Sequence, residues 1–178
     1  MGTWGIGIFE DDVCMDVKDC FYDLATKSNN SSEVSEKVLS IFKDVINDKD
    51  EGPLVYFALA ELQMDKGFIG KDVKEKCIEY LRSGNSLDRW LQSGFFQFLK
   101  RRKILKKFST KLKSFKNIIQ DFDNDTEENI EFNPLRYTVY ILEDSNSNVM
   151  YVGKTAFIEK RKKYMEVLFS NYKCKEKG

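Results

Sequence analysis

The chain has 178 residues, of which 33% are charged, 13% are aromatic and none is histidine; this composition is typical of a folded domain and excludes a disordered chain and Ser–His or Cys–His catalysis. Its net charge is zero, but residues 1–98 hold 18 Asp and Glu against 11 Lys and Arg, and residues 99–178 hold the reverse, so the two parts carry −7 and +7. No apolar run approaches the roughly 20 residues that span a bilayer, and no basic-then-apolar signal opens the chain, so we expect a cytoplasmic protein with no membrane partner.

The chain opens with an aromatic and glycine-rich segment, Trp4-Gly5-Ile6-Gly7-Ile8-Phe9. Glycine lets the backbone lie close to another element while the large apolar side chains are buried. We expect this segment to form a structural plug beneath a helical bundle. Asp11 or Asp12 is then a suitable N-cap for the first helix.

Apolar residues at helical spacing predict a bundle of about five helices within residues 1–117. The first has apolar positions from Val13 to Leu24, and the second begins at Ser32 and continues to Ile46. The others are predicted at about Leu54–Lys66, at Lys71–Arg82 and at Phe95–Phe115, with a helical turn at Leu87–Leu91. The third is apolar around most of its circumference, which favours a central position.

Four blocks in this region resemble a bacterial domain family of unknown function. They are the opening segment, the stretch Asp50–Gln63, the helix Lys71–Leu81 and the sequence Leu87-Asp88-Arg89-Trp90. Members of the family begin Met-Gly-x-Trp-Gly-x-Gly-x-Phe and continue into an aspartate-rich helix. The resemblance covers residues 1–117 and implies a fold and a bacterial or phage origin, but no catalytic residue.

The first helix carries a dense set of carboxylates, which predicts an acidic face for a protein partner. Its candidate partner-binding residues are Asp11, Asp12, Asp16, Asp19 and Asp23. The last predicted helix of the bundle is the opposite, because no acidic residue occurs between Phe95 and Ile118. Its candidate nucleic-acid-binding residues are Lys100, Arg101, Arg102, Lys103, Lys106 and Lys107. A solvated face, or one that packs on the acidic part of the chain, is the alternative for this helix.

Residues 118–132 are predicted to be an acidic linker, and the period changes to alternation beyond it. Tyr137–Leu142 and Val149–Gly153 are predicted strands of a hairpin, and Phe157–Phe169 is a predicted helix. A piece this small cannot bury a core alone, so residues 133–178 should pack against the bundle. The predicted fold class is therefore α+β, mainly α, with a helical domain followed by a small β-hairpin and helix.

Tyr140, Tyr151, Gly153 and Arg161 resemble the start of the GIY-YIG nuclease fold, over residues 137–165. The resemblance implies that the two tyrosines and the arginine surround a scissile phosphate as candidate catalytic residues, and that the glycine allows a close approach. The family also uses Mg²⁺, bound by a glutamate on a later helix. Only 17 residues follow Arg161, and they offer no persuasive counterpart of that glutamate.

Two functions follow from these patterns. The first is a non-enzymatic interaction module, an immunity or inhibitor-type protein that blocks a basic toxin or defence protein through the acidic face. The second is a GIY-YIG-like metal-dependent nuclease or a nucleic-acid-binding protein. The first is preferred because it needs no missing part. It requires no cofactor, and the cysteines have no metal-site spacing, so Mg²⁺ is expected only for the nuclease.

Overall fold

A computed structural model describes residues 3–28, 30–84, 87–117, 138–168 and 173–176 of the chain. The fold is α+β and mainly α, as predicted. The helices before the sheet are α1 Asp12–Ala25, α2 Ser31–Ile41, α3 Lys43–Ile46, α4 Gly52–Asp65, α5 Lys71–Ser83, α6 Asp88–Gln92 and α7 Phe95–Ser114. The C-terminal unit contains β1 Thr138–Glu143, β2 Val149–Thr155, α8 Ile158–Leu168 and β3 Lys173–Glu176. The predicted linker, residues 118–132, and Tyr137 lie outside the described residues.

Helix α4 is the centre of the bundle because nearly all of its side chains are buried. Leu54, Val55, Phe57 and Leu59 are at most 1% exposed, and α1, α5 and α7 pack around them. The almost continuous apolar sequence of this segment had predicted that position. Pro53 lies in the first turn, where its missing N–H leaves no hydrogen bond unmade.

Helix α1 begins as the sequence predicts. Asp11 is the N-cap, and its Oδ1 accepts a hydrogen bond of 3.0 Å from the backbone N–H of Val13. Val13 and Val17 are buried in the bundle core. The helix therefore has an ordinary apolar face toward α4, and its aspartates lie on the remaining circumference.

The second predicted helix is wrong in one respect, because the chain breaks at Phe42 into α2 and α3. Phe42 is 1% exposed, so its side chain remains in the core while the backbone leaves the helical region. Ile41, Phe42, Val45 and Ile46 keep helical spacing across the break. For that reason the apolar pattern could not reveal it.

The opening segment packs against the bundle, where the sequence predicts a plug, and it also contacts the C-terminal unit. Ile8 is buried in the bundle core, but Trp4 packs against Tyr151 and Tyr164 of the C-terminal unit. Arg101 holds the segment from the bundle side. Its Nη1 donates hydrogen bonds of 2.8 Å to the carbonyl oxygens of Ile6 and Gly7.

The sheet has the order β2-β1-β3, with both pairs antiparallel. Tyr140 of β1 lies opposite Gly153 of β2. Strand β3 was not predicted, because its sequence Lys-Cys-Lys-Glu is mostly charged and has low intrinsic strand preference. It forms as an edge strand only because β1 offers it a partner. Within the described parts of the chain, no helix combines the length and apolar character needed to cross a membrane.

The structure predicts that Arg101→Met destabilises the protein although the residue lies in a lysine-rich helix. The half-buried carbonyl groups of Ile6 and Gly7 lose the guanidinium donor, although that of Gly7 keeps the backbone N–H of Glu10; we expect this to cost about 1–3 kcal/mol in the free energy of unfolding. Urea denaturation followed by circular dichroism measures that change. The matched control is the exposed neighbour in Arg102→Met, for which we expect a change within about 0.5 kcal/mol. Equal effects of the two substitutions would contradict the assignment.

Candidate functional site

Two carboxylates of α1 form the bundle side of the candidate site. Asp12 and Asp16 are one helical turn apart, so both lie on the same face of α1. They are 3% and 2% exposed, respectively. Carboxylates are rarely buried to this degree unless other groups satisfy them. The groups that do so come from the C-terminal unit.

Four donors surround the carboxylate of Asp12. The Tyr140 hydroxyl donates to Oδ1 at 2.7 Å, and the Tyr151 hydroxyl donates to Oδ2 at 3.0 Å. The backbone N–H of Lys154 donates to Oδ2 at 3.3 Å. The fourth donor is the Arg161 guanidinium, whose Nη1 contacts Oδ1 in a buried ion pair.

The carboxylate of Asp16 accepts hydrogen bonds from a neighbouring set of donors. It accepts hydrogen bonds from the Thr155 hydroxyl, from the backbone N–H of Ala156 at 3.1 Å and from Arg161 Nη2 at 3.0 Å. The same Nη2 donates to the backbone carbonyl of Asp12 at 3.2 Å. One guanidinium therefore bridges both aspartates. We refer to Asp12, Asp16, Tyr140, Tyr151, Thr155 and Arg161 as the Asp12–Arg161 cluster.

Gly153 makes this close approach possible. A Cβ at that position would lie 2.5 Å from Asp12 Oδ2 and 2.7 Å from the Tyr140 ring. Contacts that short do not occur, so any side chain would push the carboxylate away from the sheet. Gly153 therefore allows a close approach at this point of the sheet, and the group that approaches it is the carboxylate of Asp12.

Aromatic rings enclose the guanidinium of Arg161. Its Cζ lies 5.1 Å from the centroid of the Trp4 ring and 5.8 Å from that of Tyr140. Cations are attracted to the faces of such rings, the more so where water is excluded. Arg161 is fully buried, and so is Tyr140. The opening segment thus contributes Trp4 to the aromatic surroundings of the cluster.

The electrostatics of the cluster reflect its burial. Burial raises the pKa of Asp12 to about 6 and that of Asp16 to about 7, although Arg161 opposes both shifts. Burial, together with the charge of Asp12, also raises the pKa of both cluster tyrosines, so these phenols are donors at neutral pH. For Arg161, burial opposes the charge, but Asp12 and Asp16 outweigh it and leave the pKa raised. The two carboxyl groups are therefore the members that titrate near neutrality.

The structure brings together two sets of residues that the sequence analysis had assigned to different functions. Tyr140, Tyr151 and Arg161, the candidate catalytic residues, converge on a single carboxylate. That carboxylate belongs to Asp12, a candidate partner-binding residue.

The five aspartates do not form one exposed face. Asp11 is a buried helix cap, and Asp12 and Asp16 are covered by the C-terminal unit. Asp23 is paired with Lys160 of α8 at 2.6 Å. Asp19 is half-buried, and its backbone carbonyl accepts from the same lysine.

The cations of α7 are exposed, unlike most of the aspartates of α1, and Arg101 is the exception. Of the candidate nucleic-acid-binding residues, those that are exposed are Lys100, Arg102, Lys103, Lys106 and Lys107. Arg101 is 1% exposed, and its Cζ lies 5.3 Å from the centroid of the Trp90 ring. The assignment of Arg101 to a nucleic-acid surface is therefore corrected, because the side chain holds the opening segment instead.

Sequence reasoning missed three contributors to the cluster: Trp4, Thr155 and the backbone N–H of Lys154. Trp4 was assigned to a plug, and Lys154 and Thr155 lie in the stretch that resembles the GIY-YIG fold, but no role was given to them there. Alternating or helical spacing in the sequence predicts a strand or a helix, but it does not predict which distant residue that strand or helix contacts.

The candidate site does not assemble the donor set that Mg²⁺ would need. In residues 3–28, 30–84, 87–117, 138–168 and 173–176, no three His, Cys, Asp or Glu side chains are grouped so that they could hold a metal ion. Asp12 and Asp16 lie side by side, but Arg161 occupies the space between them. No chemical step through a metal is therefore assigned to these residues.

The raised pKa values of Asp12 and Asp16 predict that stability falls as pH rises from 5 to 8. The folded protein retains protons that the unfolded chain releases above its ordinary Asp pKa of 3.8. The stabilisation from these two groups is therefore fully present below pH 3.8 and is lost as the pH rises through their folded-state pKa values of about 6 and 7. The chain has no histidine to mask the effect. The melting temperature at the two pH values measures it.

The matched variants are Asp16→Asn, which we expect to reduce the dependence on pH, and Asp23→Asn, which should leave it unchanged because Asp23 is 51% exposed. A melting temperature that rises over the same interval would contradict the raised pKa of the pair.

Comparisons with known proteins provide no independent assignment. No family model matches the sequence, and neither a curated protein nor a solved structure matches it. The two resemblances given above therefore stay predictions. A functional conclusion depends on the geometry of the described residues.

Proposed function

We propose that the protein binds nucleic acid and that the C-terminal unit contributes a site for one phosphodiester group, which Asp12 occupies in the conformation described. The observation that carries the proposal is the convergence of Tyr140, Tyr151, Arg161 and the Lys154 N–H on one carboxylate. Each of these donors is of a kind that binds phosphate oxygens. The site is therefore an oxyanion site whose occupant is supplied by the chain itself.

The chemistry of the donors favours an anion with at least two oxygens. The Tyr140 hydroxyl and the guanidinium meet one oxygen of Asp12, while the Tyr151 hydroxyl and the backbone N–H meet the other. A phosphodiester has two such non-bridging oxygens. Gly153 leaves room for the anion directly above the sheet.

The C-terminal unit that supplies the donors is weakly basic, whereas α1 on the other side of the site is acidic. Residues 138–176 hold seven Lys and Arg against five Asp and Glu, a net charge of +2. Lys160, Lys162 and Lys175 of this unit are on or near the surface, each in an ion pair with an acidic residue. A phosphodiester that replaces Asp12 would therefore be held mainly by Arg161 and the three neutral donors.

The tethered aspartate must first be displaced, because it competes at an effective concentration of the order of millimolar or above. A single phosphate ion is therefore expected to bind weakly to the wild-type protein. A nucleic acid with several contacts, or a variant without the carboxylate, overcomes this competition. Asp12 is thus a built-in inhibitor of the proposed site.

The test uses Asp12→Ala, which removes the occupant and leaves Arg161 with only one carboxylate partner. We expect a lower melting temperature for this variant, since a buried charge loses a partner. Inorganic phosphate or a thymidine dinucleotide should raise the melting temperature again. At a ligand concentration ten times Kd, the free energy of unfolding should increase by about 1.4 kcal/mol. A larger gain with the dinucleotide than with phosphate would favour nucleic acid as the source.

The controls are chosen on the same two elements. In the Asp12→Ala background, Tyr151→Phe should weaken the restoration because a donor is lost. Asp23→Ala alone should show no phosphate-dependent gain. If phosphate and dinucleotide stabilise Asp12→Ala no more than wild type, the cluster only joins the two units and the proposed site is wrong. Incubation of Asp12→Ala with labelled DNA and RNA in Mg²⁺ or Mn²⁺ determines whether binding is accompanied by cleavage.

A second candidate function, an immunity or inhibitor-type protein, is favoured by a specific feature of α1. Its two carboxylates are spaced so that they fill an oxyanion site with full hydrogen bonding. The same helix could occupy the phosphate site of a basic nuclease, if its own C-terminal unit released it.

This candidate predicts inhibition of a basic nuclease that is strengthened when the hold on α1 is loosened by Tyr140→Phe with Tyr151→Phe. Dose–response curves against a panel of purified basic DNases and RNases measure it. Tyr22→Phe is the control, because Tyr22 lies on α1 and is 41% exposed. Equal inhibition by all variants, or none, would exclude α1 as the inhibitory element.

A further inference from the structure

The junction of α6 and α7 exposes a set of large apolar side chains that the proposed phosphate site does not use. Phe96 is 79% exposed, Phe95 64%, Leu91 53% and Leu99 41%. The Phe95 ring lies 6.4 Å from that of Phe96 and 6.5 Å from that of Phe98, with the second pair stacked. Contiguous exposed apolar side chains of this kind mark interaction sites.

The same face of α7 continues as a row of cations. Phe95, Leu99, Arg102 and Lys106 follow a spacing of four, three and four residues, so they lie along one side of the helix. Lys103 and Lys107 are beside this row and are also exposed. No acidic residue occurs between Phe95 and Asn117 to neutralise them. The face is therefore aromatic at its N-terminal end and basic over the next two turns.

This surface lies on a rigid element. The second half of α7 is anchored by Leu105, Phe108 and Leu112, which are buried in the core. Arg101 fixes the first half, since its guanidinium binds the opening segment and lies over Trp90 of α6. The helix backbone that carries the exposed rings and cations is therefore held in place without a partner.

We infer that this face of α6 and α7 binds single-stranded nucleic acid, with bases stacked on Phe95 and Phe96 and phosphates paired with the cations that follow. Each nucleotide of a single strand offers an exposed π-face and a negative charge, and surfaces that bind such strands combine aromatic rings with a basic track. The inference shares its class of partner with the proposed function but uses a different surface. It therefore stands or falls on residues outside the Asp12–Arg161 cluster.

Other anionic partners fit the arrangement less well. A helix that lies in a membrane interface has its cations on the side opposite its apolar residues. Here Arg102 and Lys106 are on the same side as Phe95 and Leu99, so insertion would carry the charges into the acyl region. A DNA duplex offers phosphates, but its bases are already stacked on each other and have no free face for the exposed rings to stack on.

The test measures the affinity of the full-length protein, with Asp12 intact, for a fluorescent dT20 strand, the corresponding duplex and phosphatidylserine vesicles. We expect the single strand to bind most tightly. Phe95→Ala with Phe96→Ala should weaken it by at least about fivefold, the lower end of the stacking contribution of one base. Val149→Ala with Met150→Ala is the control, because these residues are 54% and 56% exposed on β2.

Salt dependence tests the basic part of the face. Lys103→Gln with Lys106→Gln should reduce the slope of log Kobs against log salt by about 0.7 for each cation removed. Lys71→Gln, an exposed lysine on α5, should leave the slope unchanged. Equal affinity for strand and duplex, or no effect of the phenylalanine substitutions, would overturn the inference, as would tighter binding to vesicles. The phosphate-dependent melting of Asp12→Ala does not involve this face, so either proposal can fail alone.

Discussion

The fold depends on the bridge that Arg161 makes between Asp12 and Asp16. A guanidinium buried in the C-terminal unit meets two carboxylates buried on α1, and both are also held by hydroxyl and backbone donors. Such a bridge is weak evidence of net stability, because removing three charges from water costs nearly as much as their attraction returns. Its effect is on specificity. An arrangement of the two units that covered this face of α1 without these donors would leave at least one buried charge unpaired.

The position of the helices was predictable from the sequence because the signal is local. Apolar spacing, the Asp11 cap and the apolar α4 all act within a few turns of the chain, and the observed ends of α4, α5 and α7 are within two residues of the predicted ones. Strand β3 and the break at Phe42 depend instead on partners elsewhere. Both were missed for that reason.

The cluster could be predicted only in parts. Tyr140, Tyr151 and Arg161 were grouped through a family resemblance, and Asp12 and Asp16 through their spacing on a helix. That the two groups bind each other is a contact between residues 149 positions apart, for which neither pattern holds information. Aspartates at helical spacing are usually solvated, so an exposed face was the reasonable expectation. The expectation for Arg101 was also wrong. It was expected to be exposed like the neighbouring lysines, but it is 1% exposed.

The separation of Asp12 and Arg161 along the chain also sets an order of events during synthesis. At ribosomal rates of about 5–20 residues per second, 149 residues take roughly 7–30 s. During that interval Val13 and Val17 can already pack in the bundle core, while Asp12 and Asp16 have only water as a partner. The apolar side of nascent α1 can thus be buried early, before its aspartates have their partners. The aspartate side is buried only after Arg161 has left the ribosome, so burial of these carboxylates marks the point at which the C-terminal unit has been synthesised.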